Sequence, residues 1–147
     1  MEKRSLKQSV QINAPKQKVW DVLLDDATYR QWTSVFSPGS HAVGGWDEGS
    51  KVHFLDGEGR GLVSTVKVHK PAEIITIEHI GVIDKNTEDF ESDEAKKWAG
   101  SLETYRVSES GGKTQLDVEM DIIPEYEEFM NTTWAKALVL VKELAEK

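Results

Sequence analysis

The segment from Pro124 to Glu146 constrains this chain more than any other. Tyr126, Phe129, Met130, Thr133, Trp134, Ala137, Leu138, Val141, Leu144 and Ala145 recur at offsets of three and four, which lines them up along one side of a helix. Pro124 fits the first turn, Glu125, Glu127 and Glu128 sit at the positive end of the helix dipole, and Lys136 and Lys142 come later. At 1.5 Å per residue, a helix of about 22 residues is about 33 Å long. An apolar stripe of that length must be covered, and the rest of the chain has to provide the cover.

The rest of the chain is mostly strand. From His41 to Ile122, short alternating runs are separated by Gly-rich or polar turns, the pattern of an antiparallel meander. The expected strands are Ala42–Trp46, Lys51–Leu55, Gly61–His69, Glu73–Val82, Trp98–Ser108 and Lys113–Ile122. Asp47-Glu48-Gly49, Asp56-Gly57-Glu58-Gly59, Lys70-Pro71-Ala72 and Ser110-Gly111-Gly112 supply the turns. Asp84 to Lys97 is longer and carries Glu88, Asp89, Glu91, Asp93 and Glu94, so it reads as a solvated loop or a mobile flap.

Ahead of the meander, Ser5 to Asn13 reads as a strand with Leu6, Val10 and Ile12 on one face and Lys7, Ser9 and Gln11 on the other. Pro15 opens a helix of about ten residues carrying Val19, Trp20, Leu23 and Leu24 at helical spacing. Asp25 or Asp26 can cap a second short helix with Tyr29 and Trp32, before Ser37-Pro38-Gly39-Ser40 forces a turn. The order predicts an α+β fold: a curved antiparallel sheet of about seven strands wrapped around the long C-terminal helix, with two short helices after the first strand. Where sheet and helix do not interlock, the gap between them is a binding pocket.

Length and charge bound the function. At 147 residues, one domain spanning 1–147 is expected. The 26 acidic and 18 basic side chains leave a formal charge of −8, which repels phosphate backbones, so no nucleic-acid partner is expected. Lys3, Arg4, Lys7, Lys16 and Lys18 are interleaved with Ile12 and Val19 and read as a solvated face. The absence of cysteine removes disulfides and thiolate chemistry and is compatible with a reducing compartment, hence the expectation of a cytoplasmic protein. No stretch approaches the roughly 18 apolar residues of a membrane span, and the start MEKRSLKQSV lacks the apolar core of an export signal.

Motifs for phosphate, metal or covalent chemistry fail at specific positions. Gly44 to Lys51 has the spacing of a phosphate loop but continues Ser50-Lys51 and leads into a strand, and Gly111-Gly112-Lys113-Thr114 has Val107 where the first glycine belongs. His41, His53, His69 and His79 lack paired ligand spacing. Asp84, Asn86 and Glu88 imitate a calcium loop, yet Asp89 and Ala95 occupy its glycine and glutamate positions. No cofactor and no metal are expected, and without a nucleophile elbow the serines have no support for covalent catalysis.

The stretch Ile12-Asn13-Ala14-Pro15-Lys16-Gln17-Lys18-Val19-Trp20-Asp21-Val22-Leu23, followed by Tyr29-Arg30-Gln31-Trp32-Thr33, resembles the opening of the helix-grip superfamily. Trp46-Asp47-Glu48-Gly49-Ser50-Lys51-Val52, the Lys70-Pro71-Ala72-Glu73 turn, Gly111-Gly112-Lys113-Thr114 and the terminal helix also match its layout, so the resemblance covers nearly the whole chain. More narrowly, the chain is similar to the heat-shock-protein-90 ATPase activator C-terminal-like branch of the SRPBCC class, also called START-like or birch-pollen-allergen-like. The resemblance implies a cavity between the curved sheet and the long helix, which in different members binds lipids, hormones or polyketides or performs cyclase and aromatase chemistry. Eukaryotic chaperone activators of this type also carry a separate N-terminal domain, and this length holds only one of the two.

Strand parity supplies one polar constellation. Ile75, Ile77 and His79 share a face of one expected strand, and Ser101, Glu103, Tyr105 and Val107 share a face of another. If both faces point inward, His79, Glu103 and Tyr105 enter the pocket, where they either anchor a polar ligand head, act as acid and base, or form a satisfied polar cluster within the core. Trp20, Trp32, Phe36, Phe54, Trp98, Phe129, Met130 and Trp134, with Ile75 and Ile77, complete the expected ligand-binding set. Trp32, Phe36 and Trp98 are placed at its mouth, while His41 and His53 are left on the surface. Three functions follow: binding of a small apolar or aromatic molecule, an enzyme of the cyclase, dehydratase or hydrolase type using His79, Glu103 and Tyr105, and a chaperone cofactor with an acidic docking surface.

Overall fold

The computed structural model describes residues 3–147. The first strand, β1 (Arg4–Ile12), is followed by α1 (Lys16–Leu24) and α2 (Asp26–Trp32) and then a 3-10 turn over Thr33–Val35. Five strands come next: β2 (His41–Gly44), β3 (Lys51–Leu55), β4 (Arg60–Lys70), β5 (Ile74–Asp84) and β6 (Thr87–Asp89). A six-residue helix, α3 (Asp93–Trp98), leads into β7 (Ser101–Ser110) and β8 (Lys113–Ile122), and after one more 3-10 turn the chain ends in α4 (Glu127–Ala145). All strand pairs are antiparallel in the order β1-β8-β7-β5-β4-β3-β2, with β6 also paired to β5. This is the expected helix-grip architecture: a curved sheet with the long helix against its inner face.

The helix is held by its stripe. Thr133, Trp134, Ala137, Leu138, Val141 and Ala145 of α4 are buried. All of these but Thr133 meet Leu6, Ile12, Val66, Leu116, Val118 and Ile122 from the sheet and Val19, Val22 and Leu23 from α1 in one core cluster. Each fully buried Val, Leu or Ile contributes about 1.5–3 kcal/mol. Gly61 is fixed by a close approach, because a Cβ there would lie 1.7 Å from the Phe54 carbonyl oxygen across the β3–β4 pairing.

Two irregularities in β4–β5 reorganise the sheet. Val63 pairs with Gly81 and Ser64 with His79, so Ile80 is skipped; further along, Lys67 is skipped between Val66 and Val68. An extra residue in one strand bends it and reverses the alternation beyond it. Beyond Ile80, Phe90 packs directly on Gly81, where a Cβ would come 2.6 Å from the Phe90 ring.

The structure corrects several expectations. Asp84 to Lys97 is not a loop throughout: β5 runs to Asp84, Lys85 and Asn86 make a tight turn with φ of 49° and 68°, and β6 returns along β5. Ser92 then caps α3 by accepting from the Ala95 N–H at 3.2 Å, with Asp93 and Glu94 in the first turn and Lys96 and Lys97 in the last. The sheet therefore has eight strands, and Trp98 closes a helix instead of opening a strand. Asp25 precedes α2 without a side-chain capping bond. The first turn after Pro124 is 3-10, so α4 has 19 residues. Among the described residues no helix is long and apolar enough to cross a membrane.

Candidate functional site

The inner faces of β5 and β7 bring the polar residues together. Ile75 pairs with Tyr105, Ile77 with Glu103 and His79 with Ser101, so all of these side chains lie on one side of the sheet. The bulge at Ile80 sets Ser64 of β4 opposite His79. Ser64 Oγ lies 2.7 Å from His79 Nδ1, and His79 Nε2 lies 3.1 Å from Glu103 Oε1. The Tyr105 hydroxyl donates to the other carboxylate oxygen, Oε2.

Hydrogen-bond accounting orders this chain of groups. Ser64 is fully buried, and its hydroxyl has no partner but His79 among the described residues. If it accepted a proton from Nδ1, its own hydrogen would have no acceptor in a site closed to water. The arrangement that satisfies every atom has Ser64 donating to Nδ1 and Nε2–H donating to Glu103. Burial, the Glu103 charge and the hydrogen bond to that carboxylate hold the Tyr105 phenol well above its ordinary ionisation range, so it stays a donor. Tyr29, on α2, is pushed up for the first two of those reasons.

Glu103 faces a cavity of about 380 Å³ between the sheet and α4. Aromatic rings wall it: Tyr29, Trp32 and Phe36 from α2 and the turn after it, Phe54 from β3, Trp98 from α3, Tyr105 from β7, and Phe129 and Trp134 from α4. Trp134 is the centre of that wall, with ring centroids 5.0 Å from Phe36, 5.7 Å from Trp32 and 5.9 Å from Tyr105. Phe54 and Trp98 stand edge-on to the His79 ring at 6.0 and 6.3 Å, and Trp98 stacks on Tyr126 at 5.8 Å, joining α3 to the start of α4. Phe129 is 52% exposed and lies at the opening. Asp56 and Arg60 form part of the rim, with Arg60 Nε 3.7 Å from Asp56 Oδ2. Backbone N–H groups of Arg60 and Glu58 hold the Asp56 carboxyl below its usual range.

Ten of the residues expected from the sequence line this cavity: Trp32, Phe36, Phe54, His79, Trp98, Glu103, Tyr105, Phe129, Met130 and Trp134. Trp20, Ile75 and Ile77 do not. Ile75 and Ile77 are fully packed in the core further along β5, and the Trp20 indole N–H donates at 3.2 Å to His69 Nε2, whose Nδ1 in turn lies 2.7 Å from the Trp46 carbonyl. His53 is not a free surface residue, since its Nε2 lies 2.7 Å from Glu88 Oε2. Sequence reasoning missed Tyr29, Ser64, Arg60 and Met120. Met120 follows from extending the parity rule to β8, where it pairs with Glu103. Among the described residues, no cluster of three His, Asp or Glu side chains is placed to hold a metal ion.

Over residues 13–146 the chain matches the family described as activator of Hsp90 ATPase homolog 1-like protein. No curated protein matches it. Solved structures share its fold at low identity. DynU16, from the dynemicin biosynthetic locus, superposes with a TM-score of 0.72 at 14% identity over 97% of this chain and 47% of its own, so the chain spans about half of DynU16. CalU16 from Micromonospora echinospora gives 0.67 at 18% identity over 98% of this chain and 77% of its own. The Aha1 dimer from Colwellia psychrerythraea gives 0.72 at 17% identity over 97% and 96%.

Proposed function

The chain belongs to the activator of Hsp90 ATPase homolog 1-like family, and from that premise we propose that it binds a small apolar or aromatic molecule between the sheet and α4, without covalent chemistry. The observation that carries this reading is the aromatic-walled cavity of about 380 Å³ with a polar group on one wall. That volume falls in the range of small-molecule sites, which combine apolar lining with a few placed polar groups. Burial of apolar ligand surface at about 25 cal/mol per Å² brings micromolar affinity within reach after the costs of association. Apolar and aromatic compounds screened by thermal shift and tryptophan fluorescence should include stabilisers, and Trp134→Ala or Phe129→Ala should weaken them. A broad screen without a single stabiliser would remove the proposal.

The chain Ser64–His79–Glu103–Tyr105 favours a second reading, acid–base catalysis on the bound molecule. It predicts that His79→Gln and Glu103→Gln fold and bind ligand yet lose turnover; unchanged turnover would eliminate the pair. Family membership supports a third, stimulation of an Hsp90-type ATPase, which a direct ATPase assay with the cognate chaperone decides.

A further inference from the structure

The cavity's charge indicates what kind of guest it takes. This step rests on the reading of the cavity as a ligand site. Glu103 is a half-buried carboxylate of the wall, its side chain 19% exposed, and both protein groups bonded to it are donors, with Nε2–H and the Tyr105 hydroxyl carrying no positive charge when Ser64 donates to Nδ1. Neither Glu103 nor Asp121, another lining residue, forms an ion pair with Lys or Arg among the described residues. Asp121 is held instead by the Leu102 N–H at 2.9 Å. The one guanidinium at the rim, Arg60, is shared between Asp56 and Glu58. The wall therefore presents negative charge without a protein counter-ion.

A carboxylate so placed still has lone pairs for a donor from the cavity. Tyr29, Phe54, Trp98 and Trp134 line the same cavity, and aromatic ring faces attract cations. The Tyr29 hydroxyl makes no hydrogen bond to protein among the described residues and can accept one from a guest. We propose that the site selects a protonated aromatic amine, its ring among the aromatic walls and its ammonium donating to Glu103. A carboxylic acid guest, such as a free fatty acid, would set like charge against Glu103 and is disfavoured.

The test is calorimetric titration of the intact protein with three guests that share one ring system: 2-naphthylmethylamine, 2-naphthylmethanol and 2-naphthoate. The amine should bind at least about tenfold more tightly than the alcohol, equivalent to about 1.4 kcal/mol, and the carboxylate should bind weakest. In Glu103→Gln the amine-to-alcohol ratio should collapse to within about threefold. Alcohol binding as tight as amine binding, or a preference that survives Glu103→Gln, would overturn the amine proposal while leaving an apolar guest in place. Failure of all three guests to bind would overturn the amine proposal, and the ligand site falls with it only when the broad screen also finds no stabiliser. Should Glu103→Gln not fold by circular dichroism, the wild-type ratios decide alone, and Glu103→Asp, with its shorter side chain, should reduce the preference.

Discussion

Replacing Tyr105 with Phe removes one oxygen and leaves the ring against Trp134, 5.9 Å away between centroids. Tyr105 is 6% exposed, and its hydroxyl donates to Glu103. A hydrogen bond to a charged group is worth about 1.5–3 kcal/mol, and the full value applies when the orphaned partner is sealed from water. Glu103 is 19% exposed toward the cavity, so a water can replace the lost donor and the lower end of the range applies. Tyr105→Phe should therefore destabilise the fold by about 1.5 kcal/mol, or about 3–6 °C in melting temperature for a chain of this size. Urea unfolding with a constant m value measures it. Combined with Glu103→Gln the two effects should fall short of additivity by at least about 0.5 kcal/mol, because the residues share one bond. A loss under about 0.3 kcal/mol, or strict additivity, would refute the hydrogen-bond network.

Ser64→Ala leaves His79 Nδ1 buried without a donor and should cost about 1–3 kcal/mol in the same urea assay; a neutral result would mean that the serine does not hold the ring. Gly81→Ala drives a Cβ to 2.6 Å from both the Phe90 ring and the Asp89 carbonyl oxygen, so limited proteolysis should cut within residues 85–92 faster than in wild type, and unchanged cleavage would contradict the packing of β6 on β5. Tyr29 and Tyr105 both have folded-state values raised above 10, so their contribution is present below pH 10 and is lost as pH rises further. The Tyr105 tyrosinate absorbance, assigned by Phe substitution, should appear only together with loss of circular dichroism; its ionisation in a folded protein would refute its burial.

Strand alternation carried the site reading as far as β5 is regular. Between Ile75 and His79 the pairing with β7 is unbroken, so parity alone places His79, Glu103 and Tyr105 on one face. Ser64 was not legible, because its approach to His79 depends on the bulge at Ile80, which no periodicity announces. Parity also does not say where along the sheet the helix stands away from it. Ile75 and Ile77 share the face of His79 yet are sealed, while His79 and Glu103 open to the cavity. The strand β6 and helix α3 were hidden by acidic composition, although the Ser92-Asp93-Glu94 start of α3 is a recognisable helix opening. Composition predicts solvation there, and it is Phe90, Ala95 and Trp98 that tie the segment down, Phe90 on Gly81, Ala95 fully buried and Trp98 against His79 and Tyr126.

Crystals of the protein grown with 2-naphthylmethylamine would show the guest in place. Density for the ring is expected between the sheet and α4, against Phe54 and Trp134, with its nitrogen within about 3.2 Å of a Glu103 oxygen. Side chains filling that space while the compound sits only on the outer surface would contradict it.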